Sequence, residues 1–145
     1  AGFGAARDGG RGRADDRAGA RGRAVNVLWV ALGGAAGSAL RYLVGVGAIR
    51  MFGVTAFPIG TFVVNVVGSV LLGVLVAKFG TAGTPQMRLL LTTGAMGGFT
   101  TYSTYNLEVH RLILEGRPGL GVAYAAATFV VCLGATAAGV ALARV

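Results

Sequence analysis

Hydrophobic residues form four long runs after a polar N-terminal stretch. The runs extend approximately from Val25 to Ile49, Phe57 to Phe79, Leu89 to Leu107 and Leu120 to Leu142. A helix needs about 20 apolar residues to cross a hydrocarbon core of about 30 Å. Glycine and proline interrupt the sequence between the runs, and the short connections make neighbouring helices antiparallel. The pattern predicts an all-α membrane protein with four transmembrane helices.

The first 24 residues have a different character. They are rich in Arg, Gly and Ala and show no apolar periodicity, which predicts a disordered tail over residues 1–24 and a transmembrane domain over residues 25–145. The tail holds six of the 13 basic residues, namely Arg7, Arg11, Arg13, Arg17, Arg21 and Arg23. The apolar run that follows is too long for a signal peptide and contains Arg41, so we expect a membrane span there.

Composition and charge then restrict the function. Only 12% of the residues are charged, about half of the roughly 25% found in soluble domains. The chain carries no HExxH, GxSxG or P-loop sequence, and its single cysteine, Cys132, provides neither a disulfide nor a metal cluster. These features argue against an enzyme. The net charge is +8, and six of the 13 basic residues lie in the tail; a basic tail beside a membrane span favours the lipid bilayer as a partner over nucleic acid.

The basic residues of the predicted loops give no preferred orientation. Outside the tail, one side of the membrane would carry Lys78, Arg88 and Arg144, and the other would carry Arg50, Arg111 and Arg117. A balanced count is expected of a subunit that inserts in both orientations and assembles as an antiparallel, dual-topology dimer. The tail arginines bias the N-terminus to the cytoplasm, so an oppositely oriented paralogue is an alternative partner.

Polar residues within the first two runs are candidates for function, because such groups are costly in lipid. Arg41 either extends to the lipid headgroups or forms an electropositive vestibule for an anion. Asn65 lies one turn beyond Thr61 on the same helix face. Its amide either donates to an anion or bridges two helices, and the sequence leaves these two roles open.

The third run contains the densest polar sequence, TTGAMGGFTTYSTYNLE. This composition predicts a broken helix whose carbonyls are available to a cation, the alternative being a regular helix with hydroxyls bonded to the preceding turn. No run has a carboxylate at its middle, which favours passive conduction over a proton-coupled pump. Small residues four apart, such as Gly33 with Gly37 and Ser69 with Gly73, predict close helix packing; Gly94 with Gly98 and Ala135 with Gly139 extend this pattern.

Three motifs carry a family resemblance. In order and spacing, GGAAGSALRY, FPIGTFVVNVVGSVLLG and TGAMGGFTTYSTYNLE resemble the Fluc/CrcB family of fluoride channels. The resemblance implies an antiparallel dimer in the cell membrane with two pores, which exports fluoride passively from the cytoplasm and gives fluoride resistance. It also implies a structural sodium ion at the dimer interface, held by the backbone carbonyls of Gly97 and Thr100.

The same resemblance implies the pore residues. Asn65 matches a fluoride donor, Arg41 matches a vestibule residue, and Tyr102 and Tyr105 stand where the family has two phenylalanines. Thr61 joins the predicted pore beside Asn65. A polar track is matched by Ser103, Thr104, Tyr124, Thr128 and Cys132. Two alternatives remain at this stage: a helper subunit of a heterodimeric channel, favoured by the tyrosines, and a small multidrug-type antiporter, disfavoured because Val25 to Ile49 contains no acidic residue.

Overall fold

The computed structural model describes residues 8–144, and the regular structure within this range is helical. In chain order the elements are α1 (Asp8–Phe52), α2 (Ile59–Phe79), α3 (Pro85–Arg88), a π-helical segment (Leu89–Met96), α4 (Gly97–Phe99), α5 (Tyr102–Leu114) and α6 (Pro118–Leu142). The prediction of an all-α protein is confirmed.

Within the described residues, three helical stretches are long and apolar enough to cross a membrane. They are Gly19–Phe52, Ile59–Phe79 and Pro118–Leu142, which correspond to the first, second and fourth predicted spans. The third predicted span is divided between the π-helical segment, α4 and α5. Its crossing of the membrane, and therefore the count of four spans, stays a prediction.

The first helix extends further towards the N-terminus than the first predicted span. Helix α1 begins at Asp8 and is 45 residues long, a length of about 68 Å at 1.5 Å per residue. Alanine and arginine are good helix formers, and extending an existing helix requires no new nucleation. Residues 8–24 therefore continue the first membrane helix. Residues 1–7, with Arg7, lie outside the described residues, and the division into a tail and a channel domain stays a prediction.

Glycines allow α2 and α6 to pack with their backbones in contact. A Cβ atom added at Gly139 would overlap the carbonyl oxygen of Val70, and one added at Gly73 would overlap that of Thr136. In lipid, such close packing replaces the hydrophobic effect as the force that holds helices together. The small-residue pattern correctly predicted this contact.

A second close contact fixes the position of the broken segment against α1. Added Cβ atoms at Gly33 and Gly37 would overlap the carbonyl oxygens of Leu90 and Ala95, respectively. Gly98 is equally close to the backbone of α1. Helix α1 therefore supports the π-helical segment and α4 along the part of the chain that leads to the break.

The predicted break occurs directly after α4. Thr100 has φ −78° and ψ 158°, and Thr101 has φ −150° and ψ 113°. Both residues are extended, which no α-helix tolerates. The break is confirmed, and the alternative of a regular helix through this run is wrong.

Candidate functional site

Asn65 of α2 is hydrogen-bonded to both backbone polar groups of Thr101. Its Nδ2 donates to Thr101 O at 3.1 Å, and Thr101 N donates to Asn65 Oδ1 at 2.9 Å. The Asn65 side chain is buried, with 9% of the residue exposed. The structure therefore shows the bridging role, here between α2 and the helix break. An amide nitrogen carries two hydrogens, so this bridge leaves one for another acceptor.

The break leaves the four carbonyls of residues 97–100 without their helical amides, and those of Gly97 and Thr100 are two of them. In a continuous helix, Thr101 N would donate to Gly97 O and Thr104 N to Thr100 O. Instead, Thr101 N donates to Asn65 Oδ1, and Thr104 N donates to Thr101 Oγ1 at 3.3 Å. The family resemblance predicted that the carbonyls of Gly97 and Thr100 bind a cation. The fold thus makes their oxygens available for other partners.

A cavity of about 380 Å³ lies beside the break, between α2, α5 and α6. We call it the tyrosine cavity. Six predicted residues line it, namely Asn65, Thr100, Tyr102, Tyr105, Thr128 and Cys132. Ser69, Thr101 and Thr136 also contribute to its wall. The lining combines hydroxyl and amide groups with the apolar side chains of Phe129 and Leu133 and includes no Asp, Glu, Lys, Arg or His, so the polar groups that it offers are hydroxyls, an amide and a thiol.

Thr128 provides an unused donor in this wall. The residue is 6% exposed, and within the described part of the chain its Oγ1 is buried with no hydrogen-bond partner. A buried polar group without a partner costs about 1–3 kcal/mol. The oxygen itself is not exposed to the tyrosine cavity, so the hydroxyl would donate to a ligand there after rotation of the Thr128 side chain.

The N-terminus of α5 adds positive potential at the same place. The 13-residue helix begins at Tyr102, and Thr101 caps the amide of Thr104. The amides of Tyr102 and Ser103 belong to the first turn, where no intrahelical acceptor exists. The aligned peptide dipoles place partial positive charge at this end of the helix. Because Thr101 and Tyr102 line the tyrosine cavity, this charge favours an anion there.

The carboxylate of Glu108 lies between α2, α5 and α6, and its partner Thr61 is one helical turn from Asn65. Glu108 Oε1 accepts a hydrogen bond from Thr61 Oγ1 at 2.7 Å, and Glu108 Oε2 accepts one from the Tyr124 hydroxyl at 2.8 Å. Tyr124 is fully buried. We call these three residues the carboxylate cluster. It joins α2, α5 and α6, and both carboxylate oxygens receive a hydroxyl hydrogen.

The carboxylate cluster separates the tyrosine cavity from a second one. A cavity of about 680 Å³, called here the loop cavity, is lined by Thr61 and Glu108 together with the α1–α2 connection. Thr61 precedes Asn65 by four residues, and Tyr124 precedes Thr128 by four. That spacing corresponds to about 6 Å along each helix. The cluster therefore lies about one helical turn from Asn65 and Thr128, which line the tyrosine cavity, while Thr61 and Glu108 line the loop cavity.

A row of aromatic rings follows the same route. Tyr102 and Tyr105 have ring centroids 5.5 Å apart, Tyr105 and Tyr124 are also 5.5 Å apart, and Tyr124 lies 5.1 Å from Phe57 in an edge-to-face arrangement. Phe57 lines the loop cavity. The Tyr105 hydroxyl donates to Ala125 O at 3.2 Å. The row thus connects Tyr102 and Tyr105 of the tyrosine cavity with Phe57 of the loop cavity.

The remaining predicted residues lie nearby or elsewhere. Thr104 Oγ1 accepts a hydrogen bond from Thr101 Oγ1 at 2.9 Å, and Ser103 is exposed on the first turn of α5. Arg41 is half-buried on α1; among the described residues it is not part of the wall of either cavity. The structure therefore does not bring Arg41 together with the other predicted pore residues.

Sequence reasoning missed the roles of Thr101 and Glu108. Thr101 precedes α5, and threonine at that position is a common N-cap signal. Glu108 is the only carboxylate at the end of the third run. An acidic residue at such a position indicates hydrogen-bonding partners on neighbouring helices. Its particular partners, Thr61 and Tyr124, depend on helix packing and leave no signal in the sequence.

Comparison with known proteins places the chain among related sequences. A family model described as CrcB-like protein, Camphor Resistance (CrcB), matches residues 28–140. A protein named Fluoride-specific ion channel FluC from Agrobacterium fabrum is 46% identical over 122 residues, which cover 83% of this chain and 97% of that protein. The protein of the same name from Anaeromyxobacter sp. (strain K) is 48% identical over 120 residues, covering 81% and 94%. That from Caulobacter vibrioides is 44% identical over 121 residues, covering 81% and 94%.

Proposed function

This chain belongs to the CrcB family and is a multi-pass membrane protein, and on that premise we propose that it is a subunit of a passive fluoride-selective channel. The relatives are named as ion channels and not as enzymes. One observation carries the proposal for this chain: a cavity beside the helix break whose wall includes Asn65, Thr128 and the N-terminus of α5. The channel exports fluoride from the cytoplasm across the cell membrane and gives fluoride resistance.

The chemistry of the tyrosine cavity suits a small hard anion. Moving a bare ion out of water costs tens of kcal/mol unless new partners replace its hydration shell. The free hydrogen of Asn65 Nδ2, the Thr128 hydroxyl and the first amides of α5 are such partners. None of them is a fixed cation, so the ion is held by several modest contacts and can leave again. This is what fast passive conduction requires.

The route continues past the carboxylate cluster to the loop cavity. A free carboxylate on this route would repel fluoride. Here both oxygens of Glu108 accept hydrogens from Thr61 and Tyr124, which neutralises part of their negative potential. The edges of Tyr105, Tyr124 and Phe57 provide weak positive potential alongside. We assign the polar track of Tyr124 and Thr128 to this part of the route, and Arg41 to a vestibule that attracts the anion.

The freed carbonyls of the break fit a structural sodium ion. Carbonyl oxygens in unwound helices are suitable ligands for Na⁺, and Gly97 and Thr100 each lack the helical amide. In an antiparallel dimer, both subunits would contribute these two oxygens. When bound, the ion supplies positive charge at the dimer interface that also favours anions nearby. The support in this chain is the diversion of the amides of Thr101 and Thr104 to side chains.

The dimer itself is proposed from the sequence. Three basic residues on each side of the membrane, outside the N-terminal stretch, give no preferred orientation. A four-helix subunit has little room for an aqueous path of its own, and two antiparallel subunits provide two pores. The partner is a second copy of this chain or a paralogue.

A second candidate is a helper subunit of a heterodimeric channel. The observation that favours it is the pair Tyr102 and Tyr105, which stand where the family motif has phenylalanines. The Tyr105 hydroxyl is directed to Ala125 O, so the bulk of this added group lies at the wall of the pathway. Such a subunit would conduct only when a paralogue completes the dimer.

Efflux from liposomes tests both candidates. The purified chain is reconstituted alone and with a co-encoded paralogue, and fluoride and chloride release are recorded with ion-selective electrodes. We expect rapid fluoride release with negligible chloride release from the chain alone. Release only with the paralogue would identify the helper subunit. Silence in both preparations, with correctly inserted protein, would reject the channel function.

A further inference from the structure

The helix break is held open by two side chains of this chain, Asn65 and Thr101. We infer that Asn65 and Thr101 are positioning residues that keep the carbonyls of Gly97 and Thr100 free for a cation. The inference rests on the proposed sodium ion. It assigns to Asn65 a role in cation affinity that is separate from donation to fluoride.

Two backbone amides at the break, those of Thr101 and Thr104, each have two competing acceptors. Each amide can close an i→i+4 helical bond or donate to a side chain. Thr101 N donates to Asn65 Oδ1 at 2.9 Å, so Gly97 O does not receive it. Thr104 N donates to Thr101 Oγ1, so Thr100 O does not receive it. Removal of either side-chain acceptor returns an amide to the backbone, and one carbonyl becomes occupied.

Asn65 is well suited to this competition. Its amide pairs with both the N–H and the C=O of Thr101, as a neighbouring strand would. Asn65 and Thr101 are 9% and 8% exposed, respectively, so water does not substitute readily for either partner. Hydrogen bonds shielded in this way are costly to leave unmade. The extended conformation of Thr101 is therefore strongly favoured while Asn65 is present.

The same side chain also lines the tyrosine cavity. One amide group thus contacts the proposed anion pathway with a free hydrogen and the helix break with its two bonds. Substitution of Asn65 is expected to disturb anion conduction and cation binding together. Thr101 also lines this cavity, so the two effects are separated by the measurement: cation binding is followed through stability and not through conduction.

Sodium-dependent thermal stability tests the inference without measuring conduction. The full chain is purified in detergent, and its melting temperature is followed against Na⁺ concentration at constant ionic strength, with N-methyl-D-glucamine as the replacement cation. We expect Asn65→Ala and Thr101→Val to raise the Na⁺ concentration at half-maximal stabilisation by at least tenfold. Thr101→Ser retains the hydroxyl and should restore the wild-type midpoint.

Thr92→Val is the matched control. It removes a hydroxyl that donates to Arg88 O at 2.7 Å in the same broken segment, away from the two freed carbonyls. Its Na⁺ midpoint should equal that of the wild type. If Asn65→Ala does not fold, the Na⁺ midpoints of Thr101→Val and Thr101→Ser show whether the Thr101 hydroxyl controls cation affinity.

Two results would overturn the inference. One is an unchanged Na⁺ midpoint in Thr101→Val, and the other is a wild-type melting temperature that does not respond to Na⁺. Fluoride efflux from the same wild-type preparation distinguishes this failure from failure of the proposed function. A preparation that conducts fluoride but shows no response to Na⁺ would leave the channel standing and reject the role of Asn65 and Thr101.

Discussion

Tyr124 and Glu108 form a partly buried hydrogen bond of 2.8 Å between α6 and α5. The tyrosine is fully buried, and its ring also lies within the aromatic row between the two cavities. Tyr124 therefore has two roles: its ring packs between the rings of Tyr105 and Phe57, and its hydroxyl donates to the Glu108 carboxylate. It fixes the carboxylate against α6 and neutralises part of its charge on the proposed route.

Tyr124→Phe should lower both stability and fluoride flux. The substitution leaves Glu108 Oε2 without its hydroxyl donor, a loss of about 1–3 kcal/mol for a buried polar group, and increases the negative potential on the route. We expect a lower melting temperature in detergent and a several-fold slower fluoride efflux. Tyr42→Phe is the control, since Tyr42 is 70% exposed on α1. Equal behaviour of the two variants would contradict the assigned role of the bond.

Thr128→Val separates stability from function. The Thr128 hydroxyl has no partner within the described residues, so its replacement by a methyl group of similar shape removes an unsatisfied polar atom. The melting temperature should stay the same or rise, while fluoride efflux falls because a donor is lost from the tyrosine cavity. A destabilised variant with wild-type efflux would show that the hydroxyl is structural.

Gly139→Ala should disrupt the contact between α2 and α6. The added methyl group would overlap Val70 O, which is backbone and has little freedom to move. We expect a marked loss of folded protein in size-exclusion chromatography. Gly134→Ala on the same helix is the matched control, because a Cβ there meets nothing within 4 Å and alanine favours helix by up to about 1 kcal/mol. Similar yields of the two variants would exclude close packing at Gly139 as a requirement.

Cys132 offers a chemical test of the proposed route. Its thiol is half-buried and lines the tyrosine cavity, so methyl methanethiosulfonate should add a methylthio group inside the pathway. We expect loss of most fluoride efflux, in proportion to the modified fraction measured by mass spectrometry. Cys132→Ser should be insensitive to the reagent. Full modification without inhibition would place Cys132 outside the pathway.

Much of this protein follows from the sequence because its solvent is lipid. A chain in a bilayer must satisfy every backbone group within its own helices, so long apolar runs become helices. Three of the four predicted runs coincide with long helices. The helix break after Phe99 was also predictable, because glycines followed by threonines and tyrosines disfavour a regular lipid-facing helix.

Only the tertiary structure decided which groups meet at the break and along the route. The amide of Asn65 was equally suited to an anion or to another helix, and the packing of α2 against the broken segment pairs it with Thr101. Glu108 was an isolated acidic residue in the sequence, and three-helix packing places Thr61 and Tyr124 within hydrogen-bond distance. Local pattern determines where helices form and break in lipid. Contacts between residues distant in the sequence depend on how each helix is rotated and how far it is shifted along its neighbour. Close backbone packing at a few glycines fixes both.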